Sequence, residues 1–147
     1  MSWQIQNVRP EDINQLKNLE EQCFSIPWTR EQLESQLPDE HHCFILAKEG
    51  DRVLGYVGMM YVLDEGYISN VAVAPEMRQK GIGDSLIEEL MHKARERDLS
   101  FVTLEVRESN MAAISLYKKH GFQKVGQRKK YYDLPKEDAI LMTKYLK

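Results

Sequence analysis

The sequence predicts an α/β fold, a mixed sheet of about seven strands with helices on both faces. The first observation is a strand over residues 67–74, followed by a glycine loop, an amphipathic helix and another strand over residues 101–106. A strand–helix–strand crossover is right-handed, so these two strands should be parallel. The second observation is that turn sequences join the apolar runs before this unit, which predicts antiparallel hairpins there.

The other strands are predicted from short apolar runs that end at turn sequences. They are expected at residues 2–8, 43–48, 53–63, 122–129 and 140–145. Residues 49–52 should form the turn of one hairpin, and residues 64–66 should form a second turn that leads into the crossover.

The helices are predicted from apolar periodicity and from residues typical of helix ends. Pro10 should open a helix over residues 11–23. Thr29 and Gln32 form a capping box that begins a second, short helix. A last helix over residues 111–120 should stop at Gly121. The helix after the glycine loop carries one apolar stripe, formed by Ile82, Leu86, Ile87, Leu90, Met91 and Ala94.

Composition and charge are those of an ordinary globular protein, and residues 1–147 fit one domain. The net charge of −3 gives no global attraction to nucleic acid. No apolar run approaches the ~18 residues of a membrane span, and the N-terminus does not resemble a signal peptide. Cys23 and Cys43 are the only cysteines and lack metal-site spacing, so we expect reduced thiols, a cytoplasmic location and no metal.

The loop before the third helix has the features of an anion-binding cradle. Residues 78–83, RQKGIG, fit the pattern R/Q-x-x-G-x-G. Free N–H groups at the start of a helix favour a phosphate, and glycines let the backbone approach it closely. The sequence therefore predicts a phosphorylated cofactor. The third glycine of a Rossmann loop is missing at Leu86, and no Walker lysine follows.

Three segments together resemble the GCN5-related N-acetyltransferase (GNAT) superfamily. They are NVAVAPEMRQKGIG at residues 70–83, LEVRESNMAAISLYKKHGF at residues 104–122 and RKKYYDLPKEDAILM at residues 128–142. Within the superfamily the chain is similar to the RimI type, the ribosomal-protein-alanine N-acetyltransferases. That narrower similarity lies in CFSIPW at residues 23–28, in LEVRESN, and in YY followed by EDA. The resemblance covers nearly the whole chain.

The resemblance implies that acetyl-CoA lies in a gap where the strands at residues 67–74 and 101–106 splay apart. The backbone of Val71, Ala72 and Val73 would flank the pantetheine and the thioester. Asn110 would hydrogen-bond the cofactor. The pyrophosphate would lie on the glycine loop beside Arg78, on the amides of Gln79, Lys80, Gly81, Ile82, Gly83 and Asp84.

Asp84 departs from the family pattern, in which this position is often basic or neutral. Because a carboxylate near a pyrophosphate is unfavourable, we expect its side chain to face solvent, with Arg78 and Lys80 offsetting its charge.

Two residues suit the attack of an amine on a thioester. Glu105 interrupts an apolar strand, and its simplest interpretation is a carboxylate paired with an arginine such as Arg107. Tyr117 shares a helix face with Ala113 and Ile114, which is typical of a core tyrosine. The resemblance instead implies that Glu105 is the general base, directly or through water, and Tyr117 the general acid. A backbone N–H near Val73 would stabilise the oxyanion.

Other motifs leave two interpretations open. Trp28, Tyr131 and Tyr132 belong either to the core or to an acceptor slot. His41 and His42 are adjacent, which is poor geometry for one metal. A basic cluster forms either a solvated face or a contact to the 3′-phosphate of CoA or to an RNA-rich substrate; it consists of Lys118, Lys119, Lys124, Arg128, Lys129 and Lys130.

The resemblance implies an enzyme that acetylates the α-amino group of an N-terminal alanine, on a small-subunit ribosomal protein. One alternative is an acetyltransferase for lysine side chains or small amines. A second is a non-catalytic CoA-binding module, against which Glu105 and Tyr117 argue. We expect a protein partner, with no direct nucleic-acid or membrane partner, and the sequence leaves the oligomeric state open.

Overall fold

The computed structural model describes residues 2–147, which contain seven strands and four α-helices. The strands are β1 (Gln4–Asn7), β2 (His42–Glu49), β3 (Arg52–Val62), β4 (Glu65–Val73), β5 (Phe101–Arg107), β6 (Gln123–Tyr132) and β7 (Glu137–Tyr145). The helices are α1 (Ile13–Cys23), α2 (Arg30–Glu34), α3 (Ile82–Glu96) and α4 (Met111–Lys119). No helix within residues 2–147 is long and apolar enough to cross a membrane.

All seven strands form one mixed sheet in the order β1-β2-β3-β4-β5-β7-β6. β4 and β5 are parallel, as the crossover rule requires, and every other neighbouring pair is antiparallel. The six apolar side chains predicted to form a stripe on α3 are all buried. The predicted α/β class with a mixed sheet and packed helices is therefore confirmed.

β4 and β5 separate soon after they pair. Residues 65–67 lie opposite residues 101–103, and the pairing stops there. Ser69 is then an extra residue in β4, because two consecutive residues of β3 pair with Ile68 and Asn70 on either side of it. Such a bulge bends its strand and increases the local twist. The predicted gap between the two strands is present and begins at this bulge.

Local signals located the helix ends well and the turns less well. Thr29 Oγ1 accepts a hydrogen bond from the Gln32 N–H at 3.2 Å, and the Gln32 side chain accepts one from the Thr29 N–H at 2.9 Å, so the predicted capping box is confirmed. Gly121 has a φ of +93°, as expected for a residue that ends a helix. The turn predicted at residues 64–66 is tighter, because β4 already begins at Glu65.

Candidate active site

A cleft of about 800 Å³ occupies the gap between β4 and β5. Its walls come from the end of α1 and the loop after it, from the two diverging strands, from α4 and from the end of β6. It brings together seven of the residues predicted for the site: Trp28, Val71, Glu105, Asn110, Tyr117, Tyr131 and Tyr132.

The other predicted donor-binding residues lie outside this lining. Ala72 is buried in the core, and Val73 is the last residue of β4. A short 3-10 turn follows, and residues 78–84 then form the glycine loop and the first turn of α3. Arg78 links this loop to the cleft, because its guanidinium donates to the Val73 carbonyl at 3.3 Å and to Cys23 Sγ at 3.5 Å.

The glycine loop has the backbone geometry of an anion-binding site. Gly81 caps α3 with a φ of +94°, and a side chain there would be strained although space is open around it. The first helical bond recorded at this end runs from the Ser85 N–H to the Gly81 carbonyl at 3.0 Å. The N–H groups of Ile82, Gly83 and Asp84 precede it, so they have no acceptor within the helix. They are available to an anion at the positive end of α3.

Gly83 has a second role that sequence reasoning missed. A Cβ atom built on Gly83 would lie 3.1 Å from Leu116 Cδ2 of α4. The absence of a side chain therefore lets the start of α3 pack closely against α4, the helix that carries Tyr117. A substitution at this position would affect both the loop and the cleft.

Asp84 is neutralised by α4, so the expectation that Arg78 and Lys80 offset it is wrong. Its Oδ1 atom lies 3.0 Å from Lys119 Nζ and 2.9 Å from His120 Nε2. Partial burial opposes ionisation, but the hydrogen bonds from His120 and Lys119 outweigh it and lower the pKa of Asp84. The side chain is 34% exposed, so it is only partly directed to solvent.

Glu105 reaches the cleft from β5, while Val102, Leu104 and Val106 are buried on the opposite face of the strand. Its Oε2 atom lies 3.7 Å from Arg128 Nε, whereas Arg107 pairs with Glu137 at 3.2 Å. The interpretation of Glu105 as a carboxylate paired with an arginine is therefore supported, but the arginine is Arg128 and not Arg107.

Two tyrosines of β6 lie beside the Glu105 carboxylate. A hydrogen bond to that carboxylate raises the pKa of Tyr131. Burial, together with the negative charge of Glu105, raises the pKa of Tyr132 to about 12. Both phenols are therefore protonated at neutral pH, and Glu105 faces the cleft with proton donors around it.

Tyr117 lines the cleft from α4 although only 5% of it is exposed. Its ring packs against Phe122, with the ring centroids 5.8 Å apart. Burial raises the pKa of Tyr117 well above its usual value, so its hydroxyl keeps its proton and can donate it. Asn110 fixes the start of the same helix, because its Oδ1 accepts from the Ala113 N–H at 3.2 Å.

Aromatic side chains from β6 and from the loop after α1 form part of the cleft wall. The Tyr131 and Tyr132 rings meet edge to face at 5.0 Å. The Arg107 guanidinium lies 4.5 Å from the centre of the Tyr132 ring and donates to the carbonyls of Asp133 and Pro135. Trp28 lies in the loop after α1 and lines the same cleft. The three aromatic residues therefore line the same cleft as Glu105.

Glu20 is a cleft residue that sequence reasoning missed. It lines the cleft from α1, yet only 1% of it is exposed. The signal was its spacing, because Glu20 lies four residues after Leu16, on the face of α1 that is otherwise apolar. A charged residue on an apolar helix face is unusual and calls for partners.

Residues of the predicted basic cluster pair with several different carboxylates. Lys119 pairs with Asp84, Arg128 lies near Glu105, and Lys129 lies 3.6 Å from Asp138. These contacts favour the interpretation of a solvated face, while a contact to the 3′-phosphate of CoA or to an RNA-rich substrate stays a prediction.

A splayed mixed sheet, a glycine loop at the start of α3 and a cleft lined by Glu105 and Tyr117 define an acetyltransferase of the GNAT class. The model of the acetyltransferase (GNAT) family matches residues 13–122. The chain therefore belongs to the GNAT family of acetyltransferases.

Within this family the chain is similar to enzymes that act on a ribosomal protein. The [ribosomal protein bS18]-alanine N-acetyltransferase of Escherichia coli K12 is 31% identical over 141 residues, which cover 95% of each chain. A Bacillus subtilis protein with a provisional name for the same activity is 36% identical and covers 94% of this chain and 92% of its own.

A solved structure agrees with these similarities. The crystal structure of the ribosomal-protein-S18-alanine N-acetyltransferase from Escherichia coli superposes with a TM-score of 0.92 at 28% identity. The match covers 99% of this chain and 94% of the other.

Proposed function

We propose that this chain transfers an acetyl group from acetyl-CoA to the α-amino group of an N-terminal alanine, and that the acceptor is a small-subunit ribosomal protein. The relatives named for that reaction support the acceptor. The observation that carries the proposal is the cleft itself, where Glu105 from β5 and Tyr117 from α4 line one cavity between the separated strands.

The donor would lie along β4, with its pyrophosphate on the glycine loop. The free N–H groups at the start of α3, the left-handed Gly81 and the nearby charges of Arg78 and Lys80 suit this anion. The backbone of Val71, Ala72 and Val73 would flank the pantetheine arm and the thioester. Asn110 would donate from its amide nitrogen, because its Oδ1 atom is already bonded to the Ala113 N–H.

Glu105 would serve as the general base and Tyr117 as the general acid. The amine nitrogen forms a bond to the thioester carbonyl carbon, and Glu105 takes the proton that nitrogen loses, directly or through one water. The bond from carbon to sulfur then breaks, and Tyr117 gives its proton to the departing thiolate. The raised pKa of Tyr117 supports this role, because it keeps the donor proton in place. An N–H of β4 near Val73 would stabilise the oxyanion.

The acceptor would enter between the loop after α1 and the end of β6. Trp28, Tyr131 and Tyr132 would enclose its first residue, and Glu105 would lie beside its α-amino group. A peptide α-amine has a pKa of about 8, whereas that of a lysine side chain is about 10.4. At neutral pH the neutral α-amine is therefore more abundant than neutral lysine by a factor of roughly 200, which favours the α-amine for one carboxylate base.

The test is competition between two peptides of the same body, one with a free N-terminal alanine and a blocked lysine, the other with the reverse. We expect acetylation of the alanine peptide to dominate. Equal or faster acetylation of the lysine peptide would favour the lysine or small-amine alternative. Binding of acetyl-CoA without turnover of either peptide would favour a CoA-binding module.

A further inference from the structure

Glu20 is a buried carboxylate of the cleft that the proposed chemistry does not use. It is one of three buried polar or charged residues in the described chain. No lysine, arginine or histidine of residues 2–147 forms an ion pair with it. Burial of a charge is costly unless hydrogen bonds satisfy it, so its partners must account for its presence.

Three donors from three different elements meet this carboxylate. Its Oε1 atom accepts from the Trp28 N–H at 2.7 Å. Its Oε2 atom accepts from the Asn70 Nδ2 group at 2.5 Å and also from the Tyr56 hydroxyl. Burial, reinforced by the nearby Glu20 charge, raises the pKa of Tyr56, so this hydroxyl remains a donor.

Two of the three donors, Trp28 and Asn70, line the cleft, whereas Tyr56 of β3 is fully buried. Trp28 belongs to the loop between α1 and α2, which has no helix or strand of its own over residues 24–29. Asn70 directly follows the bulged residue Ser69, where β4 leaves β5. Glu20 therefore connects the loop at residues 24–29 to Asn70 of β4, and both of these line the cleft.

We propose that Glu20 is a positioning residue that fixes the loop at residues 24–29 against Asn70 and so sets the affinity for the acceptor peptide. The proposal rests on the proposed function for the identity of the acceptor, an N-terminal peptide. Glu20 does not exchange a proton in this account, because its oxygens are occupied by the three donors. Loss of the Glu20 contacts would raise KM for the peptide and leave acetyl-CoA binding at the glycine loop intact.

The hydrogen bond from the Asn70 amide to the Glu20 carboxylate can be reversed by two substitutions. Asn70→Asp places a second carboxylate against Glu20, and the two charges repel each other. Adding Glu20→Gln restores a bond in the reverse direction, from the new amide to the new carboxylate. The glutamine oxygen then remains for the Trp28 N–H, and the Tyr56 hydroxyl can accept as well as donate. A role that required only bulk in the core would show no such reversal.

The experiment measures KM for an alanine-starting peptide, kcat, and the acetyl-CoA Kd by calorimetry. We expect Asn70→Asp to raise the peptide KM about tenfold to a hundredfold. The double variant Glu20→Gln/Asn70→Asp should return KM to within about threefold of the native value. The acetyl-CoA Kd should stay close to native in both. The matched control is Glu21→Gln, because Glu21 is the next residue of α1, is 54% exposed and pairs with the exposed Lys17.

A second measurement does not depend on turnover. Hydrogen exchange of residues 24–29 in the unliganded protein should become faster in Asn70→Asp and slow again in the double variant. If native protein fails to acetylate the peptide, the proposed function fails, while the exchange comparison still tests Glu20. Native KM and native exchange in Asn70→Asp, or no recovery in the double variant, would overturn the role of Glu20.

Discussion

Glu105 and Tyr117 reach the cleft from environments that suit opposite tasks. The Glu105 side chain is partly exposed at the cleft, where Arg128 lies 3.7 Å away and Tyr131 donates a hydrogen bond to the carboxylate. Tyr117 is almost fully buried, and that burial raises its pKa, so it holds a proton until a thiolate forms. Burial of Tyr117 thus keeps the proposed acid protonated.

Removing either group should lower turnover more than donor binding. For Glu105→Gln and for Tyr117→Phe we expect kcat to fall by about 10²–10⁴, because each acid or base group contributes that much. Acetyl-CoA affinity, measured by calorimetry, should stay near native. Glu108→Gln and Tyr145→Phe are matched controls on exposed residues. An effect confined to KM would show that the two residues only bind substrate.

The pH profile of kcat/KM follows from the substrate α-amine and from Tyr117. The fraction of neutral α-amine rises with pH up to its pKa of about 8, so activity should rise over that range. Because the pKa of Tyr117 is raised, the acid stays protonated, and activity should stay level to about pH 10. A fall in activity near pH 9 would contradict Tyr117 as the acid.

At the scale of elements, the contact between α3 and α4 joins the donor loop to the cleft. Gly83 packs against Leu116, and Asp84 is held by Lys119 and His120. The helix that begins at the glycine loop is thereby fixed to the helix that carries Tyr117. A disturbance of this contact should move both the loop and the proposed acid.

Substitution of the two glycines of the loop should therefore impair the protein for different reasons. Gly81→Val strains a left-handed backbone and should weaken acetyl-CoA binding. Gly83→Val collides with Leu116, so it should lower both acetyl-CoA affinity and kcat. Adding Leu116→Ala should recover part of both losses in Gly83→Val and none in Gly81→Val, with Leu116→Ala alone as the control. Equal recovery in both would contradict the contact between α3 and α4.

Elements with local signals were predictable from the sequence, and side-chain partners across elements were not. The capping box of Thr29, the buried stripe of α3 and the stop at Gly121 depend on neighbours within a few positions. Asp84 and His120 are 36 positions apart in sequence, and Glu20 and Asn70 are 50 apart. No spacing rule connects such residues, because the sheet order decides which of them meet.

For the whole molecule, the sheet topology explains why one cleft can serve donor and acceptor. The pairing of β4 with β5 stops at Tyr67, just before the bulge at Ser69, and the crossover places the glycine loop at the end of β4. The order of strand, loop and helix predicted that β4 and β5 are parallel, and the gap between them was predicted from the family resemblance. The aromatic wall was left open between core and slot, since Trp28 and Tyr132 are more than a hundred residues apart.

The most direct test is mass spectrometry of ribosomal-protein N-termini in cells that have or lack this protein. Cells without it should lose acetylation of an N-terminal alanine on a small-subunit protein, and the native chain should restore it. Complementation with Glu105→Gln or Tyr117→Phe should leave that N-terminus largely unmodified. Unchanged acetylation of ribosomal N-terminal alanines after loss of the protein would contradict the central claim.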